Sequence, residues 1–446
     1  MTIAAQWPLP DTRTAAQLEH DKQDVRRQVT VLEADGVAQE LDSIVESIRA
    51  RQQTAGRSRG LPFVRFTPAG SPRIVLAAQN ELVLDAAPER LAQLGDLLTD
   101  YDPADRTDRS DRRRTRVFRN RRDRTPEVLL ADVARLRKAG IRANINPVVP
   151  LGYVIKGSSY PGLTVPPRPF ATAGATQPVR VAIVDTGLAP QPRTDAWDTG
   201  VVAKGTDPLN VLAPLDRNDW FSGHGTFGAG IVRQIAPDCE VVVYRYTSAD
   251  GLGTDEAAAD MLIRAADDAA GKRLVINASF GAPAVGGVPP LAMQEAVAYI
   301  SATYPDVLVV ASAGNDGRDL PLYPAAFPGV KAVGALTSDL SPASFSNRGS
   351  WVHCSTVGVG IVSTFVEGLL PPEPGLGTDI LFAANAWATW SGTSFTAPQI
   401  SAAVAALCGE DATLTPRTAF DRLIAGRPTV NGFGAVVHLL PGTPTS

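Results

Sequence analysis

The stretch Val181-Ala182-Ile183-Val184-Asp185-Thr186-Gly187 decides the reading of this 446-residue chain. Four consecutive apolar residues, mostly β-branched, predict a strand buried on both faces, and such strands belong inside parallel sheets. The strand delivers an acidic side chain to its own carboxyl end, and Gly187 turns the chain away. Outward from it, apolar strand runs at 179–185, 240–246, 273–278, 307–312 and 330–335 alternate with helical patterns near 223–234, 254–270, 290–303 and 396–407. That alternation predicts an α/β fold, a doubly wound parallel sheet over 178–440, with its site at the carboxyl ends of the strands.

Two further motifs fall at such ends. Ser222-Gly223-His224-Gly225-Thr226-Phe227-Gly228 places one of only four histidines at the start of a glycine-rich helix. Ser391-Gly392-Thr393-Ser394-Phe395-Thr396-Ala397-Pro398 puts a serine at the mouth of a small-residue helix. Acid, base and nucleophile are then all present. A serine hydroxyl is weakly nucleophilic until a base takes its proton, and the base needs a third group to fix its tautomer. Each piece alone has a bland reading as turn, core histidine or helix cap, and Asp-Thr-Gly recurs at Asp198-Thr199-Gly200 after no apolar strand. Together, and in this order, they carry more.

In motif order, spacing and flanking residues the chain resembles the subtilisin-like serine proteases, the subtilase family, over about 178–440. The order Asp, His, Ser separates that family from chymotrypsin-like and α/β-hydrolase arrangements. The resemblance implies a serine endopeptidase: Ser394 attacks, His224 serves as base and then acid, and Asp185 orients His224. Asn315, in Val307-Leu308-Val309-Val310-Ala311-Ser312-Ala313-Gly314-Asn315-Asp316-Gly317, inherits an oxyanion donor role with the Ser394 backbone. Ile276-Asn277-Ala278-Ser279-Phe280-Gly281 looks like the edge that pairs an extended substrate. Ser279, Phe280 and Gly281 with Ser312, Ala313 and Gly314 would wall the pocket for the residue before the scissile bond. Leu322 would lie at its base and favour small or medium apolar side chains. No metal or organic cofactor is required for this chemistry, and no calcium-loop signature allows a family calcium site to be carried over. Flanking departures, such as Pro398-Gln399 and Thr356-Val357-Gly358, leave the subfamily undefined.

The front of the chain has another texture. Residues 1–58 read as a helical segment, with apolar positions at three- and four-residue spacing over 12–54 and a turn at Asp35-Gly36. Residues 59–155 read as a small α+β domain, with strands at 63–66, 74–76, 82–84, 116–118 and 141–145 and helices at 88–98 and 126–139. A Pro- and Gly-rich linker follows at 156–177, and 441–446 read as a tail. Between Asp102 and Arg124 lie ten arginines and five aspartates, the pattern of a solvated, mobile loop.

The 42 basic and 46 acidic residues give a formal charge of -4, which does not point to nucleic acid. The total hides an asymmetry: 27 basic and 21 acidic residues in 1–177 against 15 and 25 in 178–446. A front of +6 facing a back of -10 predicts docking of the two parts in cis. The front would be a pro-domain-like inhibitor or a permanent regulatory domain, with the 12–54 helices binding a regulatory partner or another copy. Three cysteines, Cys239, Cys354 and Cys408, read as buried apolar residues. No apolar run suits a membrane span and no secretory leader is legible, so the expected location is cytoplasmic. Only six of the basic residues are lysine, as in GC-rich bacterial genomes. A non-catalytic peptide-binding protein on the same fold is the alternative function.

Overall fold

The computed structural model describes residues 7–33, 50, 61–67, 74–85, 87–104, 109–151, 160–168, 179–269, 271–370 and 379–445. Its centre is a nine-stranded sheet. In spatial order its strands are 429–430, 434–436, 352–357, 330–336, 308–312, 273–278, 179–185, 240–245 and 201–204. All neighbours run parallel except the first pair. The reversal of strand order falls between Val179–Asp185 and Arg273–Ala278, which pair from Val179 with Arg273 to Val184 with Ala278. A crevice therefore opens at the carboxyl ends of these two strands.

Both faces of the sheet are covered, which explains the uninterrupted apolar runs. Val179–Asp185 is buried at every position. The helices His224–Ile235 and Ala397–Glu410 share one core with it, while Asp255–Asp267 and Leu291–Thr303 share the other. Cys239, Cys354 and Cys408 are buried and unpaired, as expected. Among the described residues no helix is long and apolar enough to cross a membrane.

The front domain is a second sheet, in which Phe63–Phe66, Val75–Asp85, Tyr101–Pro103, Thr115–Asn120 and Arg142–Pro150 pair antiparallel. The expected strands at 74–76 and 82–84 are one strand with an irregularity between Ala77 and Leu82. Asn80 adopts φ +65° there, a left-handed conformation that asparagine tolerates. The helix expected at 88–98 is a short one, Pro88–Ala92. Pro126–Lys138 forms as expected, its buried Leu129, Val133 and Leu136 facing the sheet.

This sheet lies against the helices Asp255–Asp267 and Leu291–Thr303. Val83 and Val117 meet Leu291. The arginine run is not simply a solvated loop: Arg113 is buried and pairs bidentately with Asp260, Nε to Oδ1 at 2.7 Å and Nη2 to Oδ2 at 3.0 Å. The composition of a charge block says nothing about which member finds a buried partner. Beside it, the Glu295 carboxylate accepts the backbone N–H groups of Arg114 and Thr115 at 2.6 and 2.9 Å. The front and back thus pack together within one chain.

Three further segments pack against the catalytic part. The 156–177 linker contributes a strand, Gly162–Thr164, that pairs with Trp387–Trp390 of the catalytic part. The tail is packed down: Thr443 is buried and its N–H reaches Gly360 O at 3.1 Å. The N-terminal helix, Ala15–Glu33, has its apolar face covered by the catalytic part. Val25 and Leu32 join Ala335, Ala343, Phe345 and Val359 in one cluster. That face is therefore not open for a regulatory partner. The second arm of the expected hairpin, with Asp35-Gly36, lies outside the described residues.

Candidate active site

Asp185 ends its strand in a buried position, where Oδ1 accepts the N–H of Thr186 at 2.8 Å. His224 is the first residue of the helix His224–Ile235, entered through Gly223 at φ +79°. Two close approaches bring these elements together. A Cβ on Gly225 would stand 2.4 Å from Gly187 O, and one on Gly187 would stand 2.6 Å from Gly205 O. Only glycine allows the helix start to press against the turn after Asp185. The result is a buried pair with His224 Nδ1 at 2.9 Å from both Asp185 carboxylate oxygens. A carboxylate only accepts, so this contact puts the ring proton on Nδ1 and leaves the Nε2 lone pair free. Trp390, Phe395 and Phe221 ring the imidazole at 5.4, 5.3 and 6.0 Å between centroids.

A second buried carboxylate, Asp207, supports the same corner. It accepts the Thr186 hydroxyl at 2.9 Å and the N–H groups of Gly223 and Leu209 at 2.8 and 3.0 Å. Complete burial nevertheless pushes Asp207 up from an ordinary 3.8 to about 7. Between those values the folded protein holds a proton that the unfolded chain has lost. This contribution to stability is therefore present in full below about pH 4 and disappears as pH rises through 7. Asp207→Asn is expected to flatten that part of the Tm–pH curve between pH 4 and 8; parallel curves for variant and wild type would contradict it.

Ser394 sits in the short helix Thr393–Phe395, just ahead of Ala397–Glu410. Its Oγ donates to Ser279 O at 3.3 Å, and Ser279 Oγ donates to Ser394 O at 2.8 Å. No hydrogen bond links Ser394 to His224 among the described residues. The two motifs share one corner, where Phe395 touches the His224 ring, with the serine hydroxyl turned toward the edge segment.

Asn315 follows the strand Leu308–Ser312. Its Oδ1 accepts both the N–H and the hydroxyl of Thr393, at 2.9 and 2.8 Å, and the N–H of Gly314 donates to Thr393 Oγ1 at 3.1 Å. With Oδ1 so occupied, the amide orientation is fixed and Nδ2 has no hydrogen-bond acceptor among the described residues. The sequence did not single out Thr393 for this clamp; its place directly before Ser394 was the available signal.

The pocket residues come together unevenly. Gly281 and Gly314 face each other across Leu322, whose Cδ2 lies 2.5 and 2.8 Å from where their Cβ atoms would be. Ala282 and Tyr323 exchange backbone hydrogen bonds at 2.8 and 2.9 Å, tying this wall to the base. Phe280 turns away, buried against Tyr246 at 4.4 Å, so its side chain is no wall. Ser312 and Ala313 are buried, and Ala313 N–H pairs with Val333 O.

The front domain occupies the groove beside these residues. The end of its strand Arg142–Pro150 pairs antiparallel with Leu252–Thr254, matching Val149 with Gly253. Leu151 N–H donates to Gly251 O at 3.0 Å, Gly281 N–H donates to Pro150 O at 3.4 Å, and Leu151 bridges Phe280. Residues 150 and 151 thus lie directly against the segment Phe280–Gly281. Among the described residues no cluster of His, Cys, Asp or Glu is arranged to hold a metal ion.

A parallel sheet with acid, histidine and serine gathered at its carboxyl ends is a subtilisin-like α/β fold. Residues 176–431 match the family model described as "Subtilase family", and the chain belongs to that family. It is 33% identical over 242 residues to the thermophilic serine proteinase of Bacillus sp. (strain AK1), covering 52% of each chain. It is 30% identical over 236 residues to subtilisin BL of Lederbergia lenta, covering 51% of this chain and 75% of that one. The match thus spans about half the length of the Bacillus relative. The crystal structure of fervidolysin from Fervidobacterium pennivorans, a keratinolytic enzyme related to subtilisin, superposes with TM-score 0.59 at 18% identity. It covers 86% of this chain and 62% of that one, a likeness of fold.

Proposed function

We propose that the chain is a serine endopeptidase acting through an acyl-enzyme, with Asp185, His224 and Ser394 as its triad. The observation that carries this reading is the buried His224–Asp185 pair at 2.9 Å, with the Ser394 turn packed beside it. Rotation about the Ser394 Cα–Cβ bond would turn Oγ from Ser279 O toward the free Nε2. His224 then takes the proton as Oγ attacks the carbonyl carbon and returns it to the leaving amine. Asp185 holds the ring and stabilises the imidazolium. Asn315 Nδ2 and the Ser394 backbone N–H stabilise the oxyanion. Water repeats the cycle on the acyl-enzyme. Labelling with a fluorophosphonate tests this: one adduct, located by mass at Ser394 and lost in Ser394→Ala, is expected. Absence of Ser394-dependent labelling would favour a non-catalytic peptide-binding protein.

The pocket supports a preference for small side chains before the scissile bond, because Leu322 fills the space between Gly281 and Gly314. Leu322→Gly is expected to raise kcat/KM for phenylalanine over alanine at that position by about 10- to 100-fold. An unchanged ratio in a peptide-library profile would remove Leu322 from the pocket.

The front domain is, in this reading, an inhibitor in cis and the first substrate. Pro150 pairs with Gly281 and Leu151 with Phe280, one residue from Ser279, whose carbonyl touches Ser394 Oγ. We propose self-cleavage just beyond this paired end, at the bond between Gly152 and Tyr153. A glycine before that bond suits a pocket already filled by Leu322. Three unpaired, buried cysteines support a reducing compartment as its place of work.

A further inference from the structure

We infer that Gln28 is a positioning residue for the Ser394 segment, which makes the N-terminal helix a working part of the catalytic domain. The inference rests on the reading of Ser394 as nucleophile. The buried stripe of this helix is Asp21, Val25, Gln28 and Leu32, one face at helical spacing in which two of four residues are polar. Polar side chains buried this way are costly unless hydrogen-bonded. Asp21 is taken up by Arg13 at 2.7 Å and by the Thr164 hydroxyl at 2.5 Å, which fastens the helix to the strand Gly162–Thr164. Gln28 does something different.

Its side chain is fully buried and reaches past the helix to the chain that leads into Ser394. Nε2 donates to Tyr160 O at 2.8 Å and Thr389 O at 2.9 Å, and Oε1 accepts the hydroxyl of Ser391 at 2.8 Å. Ser391 Oγ in turn accepts the N–H of Gly360 at 2.9 Å. Gln28 thus grips residues 389 and 391 on either side of Trp390, whose ring stands edge-on to His224. Beyond Ser391 comes Gly392 at φ +153°, a residue with no side chain to anchor it. Thr393 is then clamped by Asn315 and Gly314. The turn that presents Ser394 is held at one end by Asn315 and at the other by Gln28. Loss of either end would let the nucleophile drift, and misplacement on the order of 1 Å can cost up to about 100-fold in rate.

The helix is built to stay in place. Leu9 N–H donates to Leu439 O, Thr12 N–H donates to Pro167 O, and Arg13 reaches the Thr443 hydroxyl at 3.1 Å. A cut between Gly152 and Tyr153 would leave all of these contacts intact.

The test compares full-length wild type, Gln28→Met, which keeps length and apolar volume, Ser391→Ala, which removes the same hydrogen bond from its other end, and the double variant. Fluorophosphonate labelling rate and peptide kcat and KM are measured per folded molecule. Each single variant is expected to slow labelling and kcat by about tenfold or more with KM unchanged. The double variant should be no slower than the slower single one, because the two side chains act as a unit. Folded variants that label at the wild-type rate, a loss confined to KM, or a double loss equal to the product of the single ones would overturn the inference. Should Gln28→Met fail to fold, Ser391→Ala decides alone: slowed labelling at unchanged KM supports the inference and a wild-type rate overturns it. A wild type that does not label rejects the nucleophile reading, and the inference falls with it.

Discussion

Alanine in place of Ser394 is expected to lower kcat on peptides by on the order of 10⁶, and Asp185→Asn by on the order of 10⁴. The ranking follows from the chemistry. Without Ser394 no acyl-enzyme forms, whereas without the Asp185 charge His224 remains in place but loses the partner that fixes its Nδ1 proton. Asn315→Ala should cost about 10²- to 10³-fold, almost all in kcat, if its Nδ2 is the proposed donor to a charge that exists only in the transition state. Initial rates on a peptide with glycine or alanine before the scissile bond measure all three. Equal small losses in the three variants would contradict the assignment of roles.

Arg113→Ala is expected to free the front domain. Arg113 is buried with Asp260 at 2.7 and 3.0 Å and Glu256 at 3.7 Å, while its Nη1 also donates to Thr115 O at 2.7 Å. Truncating it leaves carboxylates buried without their cation, a cost of about 3–5 kcal/mol. That corresponds to a shift on the order of 10²- to 10⁴-fold in the docking equilibrium. The groove held by 148–151 would open, and hydrolysis of an added peptide should rise. Replacing the cluster together, Arg113→Met with Asp260→Leu and Glu256→Gln, should restore docking, since a well-packed apolar pair can substitute for a buried ion pair once no carboxylate is left without its cation. Unchanged peptide hydrolysis in Arg113→Ala would show that docking does not rest on this pair.

The catalytic fold was legible because its strands are buried on both faces and therefore read as unbroken apolar runs. Val179–Asp185, Arg273–Ala278 and Leu308–Ser312 fall where the runs place them. The motifs around Asp185 and His224 stood out for a related reason: one ends a strand, the other begins a helix, and Gly187 and Gly225 mark a close approach between them, while Ser394 follows Gly392 in a short helix. The orientation of Ser394 Oγ toward Ser279 O was not legible, since a hydroxyl rotor depends on its immediate surroundings.

The front third was harder to read because its decisive contacts are long-range and polar. The charge asymmetry foretold docking, but Arg113 stands among ten arginines in its run and its partner Asp260 is 147 positions away. The strand Gly162–Thr164 is three residues long in a proline-rich stretch, too short for any periodicity. The N-terminal helix buries Gln28 and Asp21 beside Val25 and Leu32, so its inward face reads as half polar. The strand Arg142–Pro150 serves two partners in turn: 142–147 pair with Val75–Asp85 in the front domain, and 148–150 pair with Leu252–Thr254. Hydrophobic pattern reports only that such a strand is buried, not by what.

Self-cleavage by Ser394 beside the docked pair Pro150–Gly281 would join the proposed catalysis to the proposed role of the front domain. Intact mass and N-terminal sequencing of purified wild type and Ser394→Ala test it most directly. A wild-type fragment beginning at Tyr153, a companion ending at Gly152, and an uncut Ser394→Ala chain are expected. A wild type that stays full-length, or a cut that persists in Ser394→Ala, would contradict it.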